Sequence, residues 1–375
     1  MLECEAQAAS RAIELCHALL SHEGDVAAER LAHEFWVSYQ SLTGASLDTF
    51  FDFLAEGFSP APDLVLRRAD AYRQHPSSTT LGELQRAVEP PRQELFQRLN
   101  QASGGTASLI DMRRRVLCGL AGHPTWEDIA GDLAHLLRSW FNAGFLEFRR
   151  IDWNSPAAVL ENLIKYEAVH AIRDWRALRR RLQSDRRCFG FFHPSLPDEP
   201  LVFTELALTP GLSAKIQPLL DPDSPVLDLQ ACSCAVFYSI SSCHDGLRGV
   251  SFGSFLIRHV IDHVSVEFPR LTTFATLSPV HGFRDWLAGI ALDGNRAVAS
   301  LVAQLSNRQW IGDSVRSGEL GRALVRYALL TCSARNAGNS PQIPSPVSIC
   351  GTGLASSGST GWGTPPRPAS IARRA

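Results

Sequence analysis

The chain has 375 residues, 45% of them hydrophobic, with 36 basic against 38 acidic side chains and a formal charge of −2. At roughly 100–200 residues per domain this is a globular chain of two or three domains. The balance excludes a strongly basic nucleic-acid binder, a disordered polyelectrolyte and a coiled coil, and no apolar run nears the roughly 20 residues of a membrane-spanning helix.

Residues up to about 150 read as helices. The clearest is Thr125 to Phe141, where Ile129, Leu133, Leu136, Leu137 and Trp140 recur at helical spacing. Thr125 and Asp128 are predicted to form a capping box, and Gly144 is a stop signal. Near Arg187 the pattern changes. Cys188–Phe192, Leu201–Leu208 and Cys232–Ile240 are predicted strands; Leu201, Phe203, Glu205 and Ala207 share one face of the second, and Cys232 and Cys234 one face of the third. Gly246, Gly249 and Gly253 follow, then an amphipathic helix with Phe255, Leu256, Val260, Ile261 and Val264 on its apolar side, ended by Pro269. Leu271–Leu277 is a further strand, and Pro279–Leu287 a turn and helix. Strands alternating with helices predict an α/β or α+β domain.

Two compositional features stand out. Lys165 and Lys215 are the only lysines, leaving 34 arginines, which points to a GC-rich gene. The 43 residues from Ser333 to Ala375 contain no acid and four arginines, and eight are Ser, six Gly and six Pro, so no packed structure is expected there. That tail carries +4 and the first 332 residues −6. Nine scattered cysteines form no CxxC pair, so reduced thiols are expected, with neither disulfide nor metal site. The acidic start, Met1-Leu2-Glu3-Cys4-Glu5, is unlike a targeting peptide, and the cytoplasm is the expected compartment.

Several residues are candidates for chemistry. Gly246, Leu247, Gly249, Val250 and Gly253 lie between a strand and a helix, where free N–H groups suit a phosphate or an oxyanion; glycines that merely allow a tight turn are the alternative. His193 starts a turn between two strands, as a catalytic or a solvated residue. Glu205, on an apolar strand face, needs an arginine partner or takes a raised pKa. Ser278 follows a strand, as a nucleophile or carboxylate-binding donor or as a turn residue, and His281 lies in the same turn.

Together these motifs resemble the malonyl-CoA decarboxylase family. The resemblance is carried by Glu89-Pro90-Pro91-Arg92-Gln93-Glu94-Leu95, Ser139-Trp140-Phe141-Asn142, Tyr166-Glu167-Ala168-Val169-His170 and Phe192-His193-Pro194 through Glu199-Pro200-Leu201. It continues through Phe237-Tyr238-Ser239-Ile240-Ser241, the glycine segment and Leu277-Ser278-Pro279-Val280-His281-Gly282-Phe283, to about Leu330. The resemblance implies an α+β protein: a helical oligomerisation domain (1–155), a catalytic domain with the acetyltransferase (GNAT-like) fold (156–332) and an aberrant tail (333–375). It further implies conversion of malonyl-CoA to acetyl-CoA and CO2 without metal or organic cofactor, no nucleic-acid or membrane partner, and a homo-oligomer. Ser278 matches the family's serine in Leu-Ser-Pro-x-x-Gly-Phe, although Val280 and His281 stand where many members have Ile-Pro. The N–H groups after Gly246 and Gly249 are expected to hold the CoA pyrophosphate or the enolate oxygen. An acyl-CoA N-acyltransferase and an inactive malonyl-CoA-binding or oligomerising remnant are the competing functions.

The family's histidine motif, Phe-His-Leu-x-Asn-Gly-Ala, is absent from this chain. Ile343 to Thr364 can be back-translated with synonymous codons which, read two nucleotides on, give Pro-Val-Ala-Arg-Phe-His-Leu-Arg-Asn-Gly-Ala-Arg-Leu-Glu-Arg-Ile-Asn-Trp-Leu-Gly-Asp-Thr. That alternative frame is compatible with the missing motif, whose histidine would span the Ser348 and Ile349 codons. A frame change between about Leu330 and Ser340 is therefore expected, and with it low activity for the chain as written.

Overall fold

The computed structural model describes residues 2–21, 25–250, 253–279, 282–307, 310 and 313–336. Two compact units divide the described chain, residues 2–274 and 275–336.

The first unit opens with α1 (Leu2–Ser21), α2 (Asp25–Gln40), α3 (Gly44–Gly57), α4 (Pro62–Gln74), α5 (Ser78–Val88), α6 (Pro91–Leu99), α7 (Gly105–Gly119) and α8 (Glu127–Trp140). Their shared core holds Phe35, Trp36, Phe50, Phe51, Phe96 and Trp126. Burying such large rings is what stabilises short helices of this kind. Pro91 starts α6, which ties α8 to the end of α3: Arg92 Nε donates to Asp132 of α8, Arg92 Nη1 to Ala55 O and Ser59 Oγ (both 3.1 Å), and Gln93 Nε2 to Asp132 Oδ1 (2.6 Å).

The predicted Thr125–Asp128 capping box does not form. Pro124–Trp126 winds as a 3₁₀ turn, Trp126 takes the cap position of α8, and its ring stacks on His123 and bonds Asp52 Oδ1 (2.7 Å). The demands of that indole override the local capping preference.

The sheet follows in the order β1-β2-β3-β4-β5. Its strands are β1 (Glu147–Ile151), β2 (Arg186–Phe192), β3 (Val202–Thr209), β4 (Cys234–Ser242) and β5 (Thr273–Thr276), the last crossing from the first unit into the second. β1 through β4 pair antiparallel. β1 lies inside the stretch read as helical; Arg149 and Arg150 interrupt any apolar alternation in its five residues. Cys232 precedes β4, closing a 3₁₀ turn, so Cys232 and Cys234 do not share a strand face.

Opposite faces of the sheet bury different cores. Leu206, Leu208, Ala235 and Phe237 pack with α12 (Gly253–Glu267) through Leu256, Val260 and Val264. Cys188, Phe192 and Phe203 pack with α9 (Ala157–Tyr166) and α10 (Trp175–Arg181). The short α11 (Gln217–Leu220) lies in the β3–β4 connection. The second unit contains α13 (Phe283–Leu292), α14 (Arg296–Asn307) and α15 (Ser314–Asn336), so helix continues past residue 332. Residues 337–375, which carry the rest of the tail, lie outside the described residues.

Candidate functional site

β4 carries a feature the sequence did not announce. Glu205 pairs with Ser239 but Leu206 pairs with Phe237, so Tyr238 is an extra residue in β4. Such a bulge bends the strand and takes a backbone group out of the ladder. On this face the Glu167 carboxylate accepts from Ser239 Oγ (2.7 Å), Ser241 Oγ (3.0 Å) and the N–H groups of Val169 (3.0 Å) and His170 (2.7 Å). Two motifs far apart in sequence thereby meet in one buried polar cluster.

Glu205 belongs to the same layer. It is fully buried on β3, and Arg181 Nη1 donates to it while Arg181 Nη2 bonds His170 O at 2.6 Å. Burial pushes its carboxyl up to about 8, Arg181 pulling back and the charge of Glu167 adding to the rise. Of the two alternatives for Glu205, an arginine partner and a raised pKa, the fold supplies both.

His193 ends β2 in a tight turn. Its Nδ1 accepts from Ser195 N–H at 3.2 Å, its carbonyl from Leu196 N–H at 2.8 Å, and its ring lies 4.6 Å from that of Phe141. Burial lowers its pKa, opposed by a hydrogen bond to the Trp140 backbone. The imidazole ties the turn to the end of α8.

The glycine segment forms a compact turn before α12. Leu247 N–H donates to His244 O (2.9 Å), Arg248 N–H to Asp245 O (3.1 Å) and Val250 N–H to Leu247 O (2.9 Å). The N–H groups of Leu247 and Val250 are thus occupied within the turn, while that of Gly249 makes no hydrogen bond among the described residues. Gly249 has φ +83° with open space around it, a conformation that favours glycine. Gly246 is required for another reason: a Cβ there would lie 1.9 Å from Ile110 O of α7. Arg113, also on α7, holds the turn through Gly246 O (2.5 Å) and Arg248 O (2.8 Å). Gly253 opens α12.

In the second unit, Ser278 is exposed in the loop between β5 and α13 and makes no hydrogen bond among the described residues. Gly282, φ +71°, caps α13. His281 and Val280 lie outside the described residues. Among the described residues no three His, Cys, Asp or Glu side chains are grouped to hold a metal ion.

The model of the malonyl-CoA decarboxylase N-terminal domain matches residues 58–141, and that of the malonyl-CoA decarboxylase C-terminal domain residues 144–346. The chain belongs to the malonyl-CoA decarboxylase family. Among solved structures it resembles malonyl-CoA decarboxylase from Rhodopseudomonas palustris at 41% identity and a TM-score of 0.82, over 89% of this chain and 82% of that one. The enzyme from Agrobacterium vitis matches at 40% identity and 0.77, over 86% of this chain and 78% of that one. Mitochondrial malonyl-CoA decarboxylase of Mus musculus is 33% identical over 67% of this chain and 56% of its own length, and that of Anser anser anser 38% identical over 54% and 42%. The chain therefore spans about half the length of these curated relatives.

Family membership gives the sheet domain its acetyltransferase-type (GNAT-like) architecture. The family models meet between residues 141 and 144, ahead of β1. The Tyr238 bulge, the Glu167 cluster and the Arg113 clamp were not anticipated. Repeated hydroxyls in Ser239-Ile240-Ser241, at strand spacing on an otherwise apolar strand, are the one signal that pointed to a buried carboxylate.

Proposed function

We propose that this chain acts on malonyl-CoA, releasing CO2 and forming acetyl-CoA. The carrying observation is the match of both family domains, in order, from residue 58 to 346. Breaking the bond to the carboxylate leaves its electron pair on the thioester as an enolate, whose oxygen needs fixed N–H donors in a dry site. The turn from Gly246 to Val250, with Gly253 opening the next helix, binds the CoA ester. The unengaged N–H of Gly249 suits either the enolate oxygen or a phosphate. Ser278 orients the departing carboxylate or relays a proton, and a histidine delivers that proton to the carbanion. No metal or organic cofactor enters this scheme.

The histidine motif is missing from the chain as written, so we place it in the alternative reading frame and assign the written chain low activity. CO2 release from malonyl-CoA without an amine acceptor tests the reading, with the written chain and the frame-restored chain side by side. Turnover by the restored chain alone supports both statements. Comparable turnover by the written chain overturns the frame argument, and no turnover by either overturns the decarboxylase reading. Tight CoA-ester binding without turnover by either would favour a binding remnant, and acetyl transfer to an amine an N-acyltransferase.

The helical region serves as the homo-oligomer surface in this reading. Support comes from α4, which buries none of its residues and leaves Leu66 64% exposed. The described cysteines Cys16, Cys118, Cys188, Cys232, Cys234 and Cys243 are all unpaired, which suits a reducing compartment such as the cytoplasm. No helix among the described residues is long and apolar enough to cross a membrane.

A further inference from the structure

A second concave site lies away from the glycine turn. A cavity of about 400 Å³ sits beside the start of β4, where Thr209 at the end of β3 pairs with Cys234. The glycine turn follows the other end of β4, so the length of that strand separates the two sites. The cavity walls are mostly apolar, formed by Pro210, Leu212, Pro218, Leu219, Pro225 and Leu227. The charged side chains that line it among the described residues are Arg180 of α10 and Arg186 of β2, with no acid beside them in the lining.

Both arginines are 2% exposed, and they share one carboxylate. Asp185, itself fully buried, accepts from Arg180 Nη1 (2.7 Å) and Nη2 (3.1 Å), pairs with Arg186 Nη1 (2.9 Å) and accepts from Leu227 N–H (3.1 Å). Four contacts are about what the two oxygens of a carboxylate can accept. Neither arginine pairs with a second acid among the described residues. Arg186 Nη2 is left with a neutral partner, Leu219 O (3.1 Å), and the Nε of each arginine has none. Two buried cations against one buried anion leave a single positive charge in excess beside the cavity. Such an excess is costly until an anion neutralises it. Burial, the largest influence, lowers the Arg186 pKa in keeping with that cost.

We infer that this cavity binds a small aliphatic monocarboxylate, its carboxylate on Arg180 and Arg186 and its alkyl chain against the proline and leucine walls. One negative charge cancels the excess, whereas a phosphate dianion would overshoot it. Guanidinium N–H groups match carboxylate oxygens in charge and geometry. The hydroxyls of Ser213 and Ser224 also line the cavity, make no hydrogen bond among the described residues and supply further donors. The volume falls within the range of small-molecule sites, about 300–1,000 Å³. Apolar walls favour an anion that carries an alkyl chain over a bare inorganic ion. The site stands apart from the CoA reading, since no residue of the glycine turn belongs to it.

Calorimetric titration of the full chain at neutral pH with sodium hexanoate tests this, against 1-hexanol, hexylamine and sodium acetate. Saturable hexanoate binding is expected, with 1-hexanol and acetate each about tenfold weaker or more, and hexylamine not bound. Two variants locate the site. Leu212 is 50% exposed at the cavity rim, so Leu212→Trp narrows the entrance without disturbing the core and should weaken hexanoate about tenfold. Arg186→Met removes the excess cation, leaves the Arg180–Asp185 pair in place and should weaken hexanoate to the level of 1-hexanol. Circular dichroism checks the folding of both, and Leu212→Trp alone decides where Arg186→Met does not fold. Equal affinity of the unaltered chain for hexanoate and 1-hexanol would show an apolar slot in which the arginines play no part, and overturns the inference. Hexanoate binding that is unchanged in folded Leu212→Trp, or no saturable hexanoate binding by the unaltered chain, overturns it as well.

Discussion

Substituting Gly246 by alanine should destabilise the first unit by about 3–5 kcal/mol, a large effect for one methyl group. The added Cβ would sit 1.9 Å from Ile110 O and 2.8 Å from both Ile110 C and Ile110 Cγ2. Two of those atoms are backbone in α7, so no rotamer change relieves the clash, and the turn must retreat by over an ångström. Overpacking of this kind costs about 1–3 kcal/mol. Retreat also breaks the Arg113 bonds to Gly246 O and Arg248 O, and a hydrogen bond to a charged group contributes about 1.5–3 kcal/mol. Urea unfolding followed by tryptophan fluorescence measures the loss, and hydrogen exchange locates it. Gly289→Ala, where a Cβ meets open space inside α13, is the control. A loss below about 1 kcal/mol for Gly246→Ala would show that α7 and the turn are not rigidly packed, and that the Arg113 clamp does not fix the turn.

Four other outcomes are expected. Glu205 holds its proton up to about 8 in the folded chain against 4.5 as the ordinary value, so its contribution to stability is complete below the lower value and is lost as pH rises through the upper one. Glu205→Gln should therefore gain stability relative to the unaltered chain between pH about 5 and about 9, and urea midpoints that move in parallel would refute this. His193→Ala should cost about 1–2 kcal/mol through its turn and Trp140 contacts without altering CoA affinity; a selective loss of affinity in a folded variant would instead place His193 at the ligand. In the frame-restored chain, Ser278→Ala should lower CO2 release about a hundredfold with an unchanged melting temperature, because the hydroxyl is exposed and unbonded among the described residues; unaltered release would remove Ser278 from the chemistry. Leu66→Glu should shift the mass measured by light scattering toward smaller species, and an unchanged mass would exclude α4 from the assembly surface.

Much of the sheet was legible because its strands are long and apolar. Leu201–Leu208 is observed as Val202–Thr209, with Glu205 on the predicted face, and the glycine segment does precede a helix whose buried residues include Leu256, Val260 and Val264. What escaped depends on contacts between residues remote in sequence. β1 is recognisable only through its pairing with β2, since Glu147-Phe148-Arg149-Arg150-Ile151 carries no strong period of its own. The cap expected at Thr125 was displaced by the contacts of Trp126 with Asp52 and His123. Ser278 and the glycines were singled out from local motifs, and the structural requirements of the glycines separated only in three dimensions. Gly249 needs its backbone angle, whereas Gly246 needs the room that Ile110 takes. Arg113 was one arginine among 34, and nothing local to it distinguished it.

The contact of α7 with the glycine turn bears on how this family can change by recombination. Ile110 and Arg113 lie more than a hundred residues before Gly246, yet a side chain at Gly246 or a neutral residue at Arg113 would spoil the fit between them. A helical region exchanged between two relatives would keep the turn in place only if both parents carry a compatible set at these positions. The crossover point that looks safest on paper, the short connection between α8 and β1, therefore separates residues that must be inherited together.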